Sequence, residues 1–211
     1  MATGKKNPAA GRPPHQAHAC PAPAAWKSPP ASDHLPMNHP ADPAYQIEVQ
    51  VDEPYAGQVD PEDLTAAVQA TLQHEGVATA SLTLVITGDE VIQELNRTFR
   101  GVDAPTDVLS FPSQGEEDGL ALPPELASEL AHYLGDIVIA LPYAARQAAH
   151  YQTPLGSELR LLTVHGTLHL LGYDHGTPEE KAAMWAAQRA VLALLGEKDL
   201  GARYDEMESG G

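Results

Sequence analysis

The segment His165-Gly166-Thr167-Leu168-His169-Leu170-Leu171-Gly172-Tyr173-Asp174-His175 leaves the chain few ways to fold around it. His165 and His169 are four residues apart, so on a helix both rings lie on one face, about one turn apart. Leu161, Leu162, Leu168, Leu170 and Leu171 predict an amphipathic helix facing a core, with the histidines on its rim. Gly172 tolerates a positive φ and lets the chain turn back sharply. His175 then arrives from beyond that turn. Two imidazoles from a helix and one from the returning strand are expected to enclose one divalent cation. Its fourth position is left open to water, which is how catalytic rather than structural zinc is held.

A missing residue narrows the chemistry. Zinc proteases of the H-E-x-x-H type carry a glutamate general base directly after the first histidine. Here that position is Gly166, which costs about 1 kcal/mol against alanine in a helix interior. The ligand spacing is kept and the protease base is absent. A glycine there is also expected to leave room for a bulky group beside the metal.

The 211 residues suit one domain plus extras, and a hydrophobic content of 43% is enough for a core. No apolar run approaches a membrane span, so no membrane partner is expected. The basic start, Met1 to Lys6, is not followed by an apolar stretch, so no signal peptide is expected. The single cysteine, Cys20, excludes an intramolecular disulfide and suits a cytoplasmic location. The net charge of −17 is uneven: residues 1–44 carry +2 and residues 45–211 carry −19. Such a body repels polyanions at long range, so a nucleic-acid substrate requires a local basic spot. Arg97, Arg100, Arg146 and Arg160 are the candidates.

Residues 1–44, rich in Pro, Ala, His and Ser, read as a disordered extension whose four histidines are solvated. A folded domain is expected over 45–196, with a polar tail at 197–211. Strands are predicted at Ile47–Val51, Ser81–Thr87, Asp107–Phe111 and Gly135–Ala140, the last apolar enough to be central. Asp60 caps a helix that has Pro61 at its first position and stops at Gly76. A second helix runs from Val91 to Phe99, with Ile92, Leu95 and Phe99 on its inner side. Others start at Pro142 and Thr153-Pro154, and a capping box at Thr177–Glu180 opens the last. Residues 113–132 read as an acidic loop. The order βαβαββααα predicts an α+β fold, a mixed four-stranded sheet packed with about five helices.

Two further stretches, Leu95-Asn96-Arg97-Thr98-Phe99-Arg100-Gly101-Val102-Asp103-Ala104-Pro105-Thr106-Asp107-Val108-Leu109-Ser110-Phe111-Pro112 and Leu134-Gly135-Asp136-Ile137-Val138-Ile139, complete a pattern. With the histidine segment they closely resemble the YbeY family of bacterial rRNA maturation factors and single-strand-specific endoribonucleases, over about residues 45–196. The resemblance implies a metal-dependent endoribonuclease in rRNA processing, maturing the 16S rRNA 3′ end and serving ribosome quality control. It implies one Zn2+ on His165, His169 and His175, and a functional arginine at Arg100. Single-stranded rRNA and the ribosome or its proteins are the implied partners. Val102 departs from the pattern, because many relatives carry a basic residue there; one phosphate contact is then missing.

Residue chemistry agrees with this picture. A three-histidine cation lowers the pKa of bound water towards about 7 and polarises phosphoryl oxygens. Arg100 offers a planar fork matched to phosphate. Asp174, beside His175, is a candidate base or a partner that orients an imidazole. Arg97 and Arg160 are candidate substrate contacts, and Tyr173 is a candidate stacking surface for a base. Thr106 and Asp107 are expected to fix their loop, Asp136 to serve a turn, and His132 and His150 to lie on the surface. Two other readings remain at this point: a zinc metalloprotease, and a non-catalytic ribosome assembly factor with structural zinc that binds a basic partner through its acidic body.

Overall fold

A computed structural model describes residues 44–113, 131–198 and 200. Apart from Ala44, the expected extension lies outside the described residues, as do most of the acidic loop and most of the tail. The elements follow the predicted order: β1 (Ala44–Val51), α1 (Pro61–His74), β2 (Thr79–Thr87), α2 (Asp89–Arg100), β3 (Val108–Pro112), β4 (Tyr133–Ala140), α3 (Leu141–Tyr151), α4 (Leu155–Leu170) and α5 (Pro178–Leu194). A 3-10 turn at Glu53–Tyr55 is additional. The sheet is ordered β1-β2-β4-β3, with β1, β2 and β4 parallel and β3 antiparallel on the edge beside β4. β4 is therefore central, as its apolar run predicts. Pro112, which cannot donate to the ladder, closes edge strand β3 opposite Gly135.

Local chemistry sets the helix ends. The Glu62 amide donates to the Asp60 carboxylate at 3.0 Å, and Gly76 takes φ +70° just past α1. Both halves of the Thr177–Glu180 capping box form, at 3.2 and 3.0 Å. Two side chains stand elsewhere than expected. Asp136 stands inside β4, not in a turn, and accepts from the Tyr133 hydroxyl at 2.6 Å. Phe99, expected inward, is exposed; its ring lies against Phe111 at the outer margin of the sheet.

α4 positions the site. It is not an amphipathic helix with a polar rim: nearly all its residues from Ser157 to Leu170 are buried. Leu159, Leu162 and Leu170 pack with Leu82, Leu84, Ile137 and Ile139 of the sheet. Leu161, Val164 and Leu168 face Met184, Trp185, Val191 and Leu192 of α5. Each of these side chains contributes about 1.5–3 kcal/mol by leaving water. The helix is apolar on two sides because it is sandwiched between two layers. Gly166 sits in the sheet-facing row, where an added Cβ would meet the Ile137 Cγ2 at 2.8 Å and the Ser110 Oγ at 3.2 Å. The Ser110 hydroxyl donates to the Gly166 carbonyl at 3.3 Å. The glycine therefore buys close helix–sheet contact, and the space it leaves belongs to the sheet rather than to a group beside the metal.

Candidate metal centre

α4 ends in two backbone bonds, Gly172 amide to His169 carbonyl at 3.0 Å and Tyr173 amide to Leu168 carbonyl at 3.0 Å. With Gly172 at φ +90°, they form the left-handed helix stop that turns the chain back. His175 follows on an irregular segment, not on a strand, and that segment leads into α5. The three histidines meet: one ligand atom from each of His165, His169 and His175 lies within 4.8 Å of the others. His165 is buried, His169 half-buried and His175 exposed, so the cluster opens on one side.

The hydrogen bonds decide which ring nitrogens face inward. The His169 Nδ1 lies 2.9 Å from the Tyr173 carbonyl, and the His165 Nδ1 lies 3.0 Å from the Gln188 Oε1. Carbonyl oxygens only accept, so each Nδ1 carries the proton and each Nε2 carries a lone pair. Those two Nε2 atoms stand 3.1 Å apart. Two facing lone pairs at that distance repel unless a positive charge lies between them. A proton suits the place poorly: burial pushes the His165 imidazole down to about 3, and the nearby His169 adds to the effect. His169 is also shifted down, first by burial and then by the charge of His175; the Tyr173 carbonyl and Asp174 oppose this. Tetrahedral ligands about 2.0–2.1 Å from an ion are themselves about 3.3 Å apart, close to the observed spacing. The donor set fits a metal ion.

The other candidates are placed as follows. Arg100 ends α2, is exposed, and forms no ion pair among the described residues. Its charge is felt at His169, which it pushes down slightly. Asn96 sets this corner: its side-chain amide donates to the Ala104 carbonyl at 2.8 Å, and its own carbonyl accepts from the Val102 amide at 3.3 Å. Asp174 is exposed, and its Oδ1 accepts from the His175 amide at 2.8 Å. The Tyr173 hydroxyl donates to Glu75 at 2.7 Å; burial and that carboxylate push its pKa up to about 12. Tyr173 thus orients His169 through its carbonyl and is tethered through its ring. Arg97 is turned to Glu94 on the exposed side of α2, at 2.6 Å. Arg160 pairs with Asp63 at 2.8 Å and with Glu197. It stands five residues before His165, well round the helix from that ring, and the structure does not bring it to the histidines. Asp107 fixes its loop, accepting from Thr106, from the Val108 amide and from Gln147. His132 and His150 are exposed, as expected.

Gln188 and Trp185 were not anticipated at the site. Trp185 packs edge-on against both the His165 and the His175 rings, at 6.2 and 5.6 Å between centroids. Gln188 is fully buried. Its signal was present, because it occupies the inward row of Met184, Trp185, Val191 and Leu192, where a polar residue needs a reason.

Fold and site together define an α+β domain with a three-histidine centre, open on one side, at the end of its most buried helix. The chain belongs to the YbeY family: the family model described as "Endoribonuclease YbeY" matches residues 49–196. Among curated proteins it is similar to the Endoribonuclease YbeY of a Roseiflexus species, with 43% identity over 71% of this chain and 92% of the relative. It is also similar to those of Moorella thermoacetica, at 50% identity over 63% of this chain and 85% of the relative, and Brevibacillus brevis, at 45% over the same shares. Among solved structures, the solution structure of TM1509 from Thermotoga maritima matches with 22% identity and a TM-score of 0.46, covering 73% of this chain and 94% of that one.

Proposed function

We propose that this chain is a metal-dependent endoribonuclease in rRNA processing, acting on single-stranded segments such as those around the 16S rRNA 3′ end. The observation that carries the reading is the pair of facing Nε2 lone pairs at the end of α4. The ion is zinc in this reading, held by His165, His169 and His175. When bound, it supplies Lewis acidity and activates water. Arg100 holds a phosphate oxygen with its fork and offsets the charge that develops there. The Tyr173 carbonyl and Gln188 hold two rings in the tautomer that ligates. In this reading Asp174, exposed beside His175, takes a proton from the attacking group. Arg97 and Tyr173 reach substrate only by leaving their present partners. The ribosome or its proteins are the partners of this activity, and the cytoplasm is its location. No helix among the described residues is long and apolar enough to cross a membrane.

The protease reading is not favoured, because a glutamate at position 166 would be driven into Ile137 and Ser110. A structural ion closed by four protein ligands is not favoured either: among the described residues three ligands converge, one of them exposed. The test is cleavage of an rRNA precursor by the purified protein, with and without chelator. Cleavage is expected to stop with chelator and in His165→Ala; equal cleavage by that variant would point to a contaminating nuclease and remove the reading.

A further inference from the structure

The chain has two phenylalanines, and they touch: the Phe99 and Phe111 rings meet edge to face, 5.1 Å between centroids. Phe99 is nevertheless 65% exposed. Val102, at 50%, is also exposed, so two of the four exposed large apolar side chains among the described residues bracket Arg100. A solvated aromatic face on an acidic body leaves apolar surface in water until something covers it. Its place is specific. Phe111 belongs with Ile92, Leu95 and Leu109 on the α2 side of edge strand β3. The neighbouring Ser110 points through the other face to the Gly166 carbonyl, in the helix that carries His165 and His169. Arg100 follows Phe99 directly at the exposed end of α2. The aromatic pair thus lies on one face of edge strand β3, and the helix that carries His165 and His169 packs on the other.

We propose that Phe99, backed by Phe111, is a stacking platform for an unpaired nucleobase of the RNA, adjoining the phosphate that Arg100 holds. This rests on the endoribonuclease reading and names how that site takes its substrate. An unpaired base offers a free π-face and a duplex does not, so the platform selects single strands. Every base has such a face, so it does so with little regard to sequence. Arg100 supplies the charge complementarity that the acidic body lacks. The edge contact with Phe111 holds the Phe99 ring in place before RNA arrives, lowering the cost of ordering it on binding.

The test uses the full-length metal-loaded protein, Phe99→Ala, Phe99→Leu and Phe99→Trp, with a single-stranded RNA carrying one 2-aminopurine. Phe99→Ala and Phe99→Leu are expected to raise KM and weaken binding about tenfold, with kcat within about twofold. Both are also expected to lose the fluorescence quenching that stacking causes, whereas Phe99→Trp keeps affinity and quenching. Leucine retains an apolar contact with Phe111, so its failure reports the aromatic face and not folding. Wild-type affinity and quenching in Phe99→Leu would overturn the proposal. So would unchanged RNA binding in Phe99→Ala together with loss of ribosome association, which would make the patch a protein-docking face. If the wild type cleaves no RNA, the enzymatic reading falls, and 2-aminopurine quenching by Phe99 still decides the platform separately.

Discussion

Helix α4 carries two polar clusters a little over a turn apart, and they are built on opposite principles. At Arg160, the guanidinium pairs with Asp63 and Glu197, and Ser157 donates to the same Glu197 at 2.7 Å. Positive and negative groups answer one another there, and the cluster is complete. At His165 and His169, each Nδ1 is satisfied and the two Nε2 lone pairs are turned on each other at 3.1 Å. That cluster needs a cation to be complete. A closed ion network ties elements together, whereas an incomplete donor set marks a binding site. The same helix supplies both because its residues on different faces meet different neighbours.

The largest effect separating the clusters is expected from His165→Ala or His169→Ala. Metal content and RNA cleavage both fall more than about a hundredfold, since losing a ligand costs more than losing a residue that orients one. Elemental analysis beside a cleavage assay checks this, and a variant that keeps its metal would dissolve the contrast. Gln188→Leu comes next. It leaves the His165 Nδ1 without its acceptor, and metal affinity drops about 10–100-fold with little change in fold, read by chelator competition. Unchanged affinity would mean that the tautomer is held some other way.

Gly166→Ala sharpens the geometry between sheet and helix. The 2.8 Å approach to Ile137 is expected to cost about 1–3 kcal/mol, set against about 1 kcal/mol of better helix propensity, and urea unfolding reads the net loss. Acid acts on the histidines in a defined direction. Burial lowers the pKa of folded His165 to about 3, against 6.5 for an ordinary imidazole. Between those values the unfolded chain binds the extra proton, so the stability of metal-free protein falls as pH drops through that window. Urea midpoints at pH 7 and pH 5 test it; equal midpoints would contradict the burial argument. The smallest effect belongs to Arg160→Ala. About 1 kcal/mol or less of stability is lost with cleavage nearly unchanged, because its partners are structural and partly solvated. A large loss of cleavage would restore Arg160 to the substrate path.

Much of the fold was legible because its signals are local. The Asp60 cap, the stop at Gly76, the Thr177–Glu180 box and the positive φ of Gly172 each depend on residues within a few positions of one another. The histidine cluster shares that property: two rings one turn apart, a glycine stop, and a third ring a few residues on. What was misread involves partners far along the chain. Phe99 has an inward-looking period, yet it stands where the sheet ends beside Phe111. The glycine at 166 suggested an open space, which Ile137 occupies.

The order of elements and the approximate bounds of each helix and strand follow from periodicity, caps and turns, which the chain carries wherever it goes. So does the spacing that lets three imidazoles meet. Tertiary packing alone decided that β3 would take the edge beside β4, that Gln188 would reach His165 from 23 residues away, and that Asp63, 97 residues from Arg160, would help claim its charge. A side chain's chemistry is written in its residue, but its protonation and its free valences depend on what packing sets against it. Packing brings together residues that no local pattern connects.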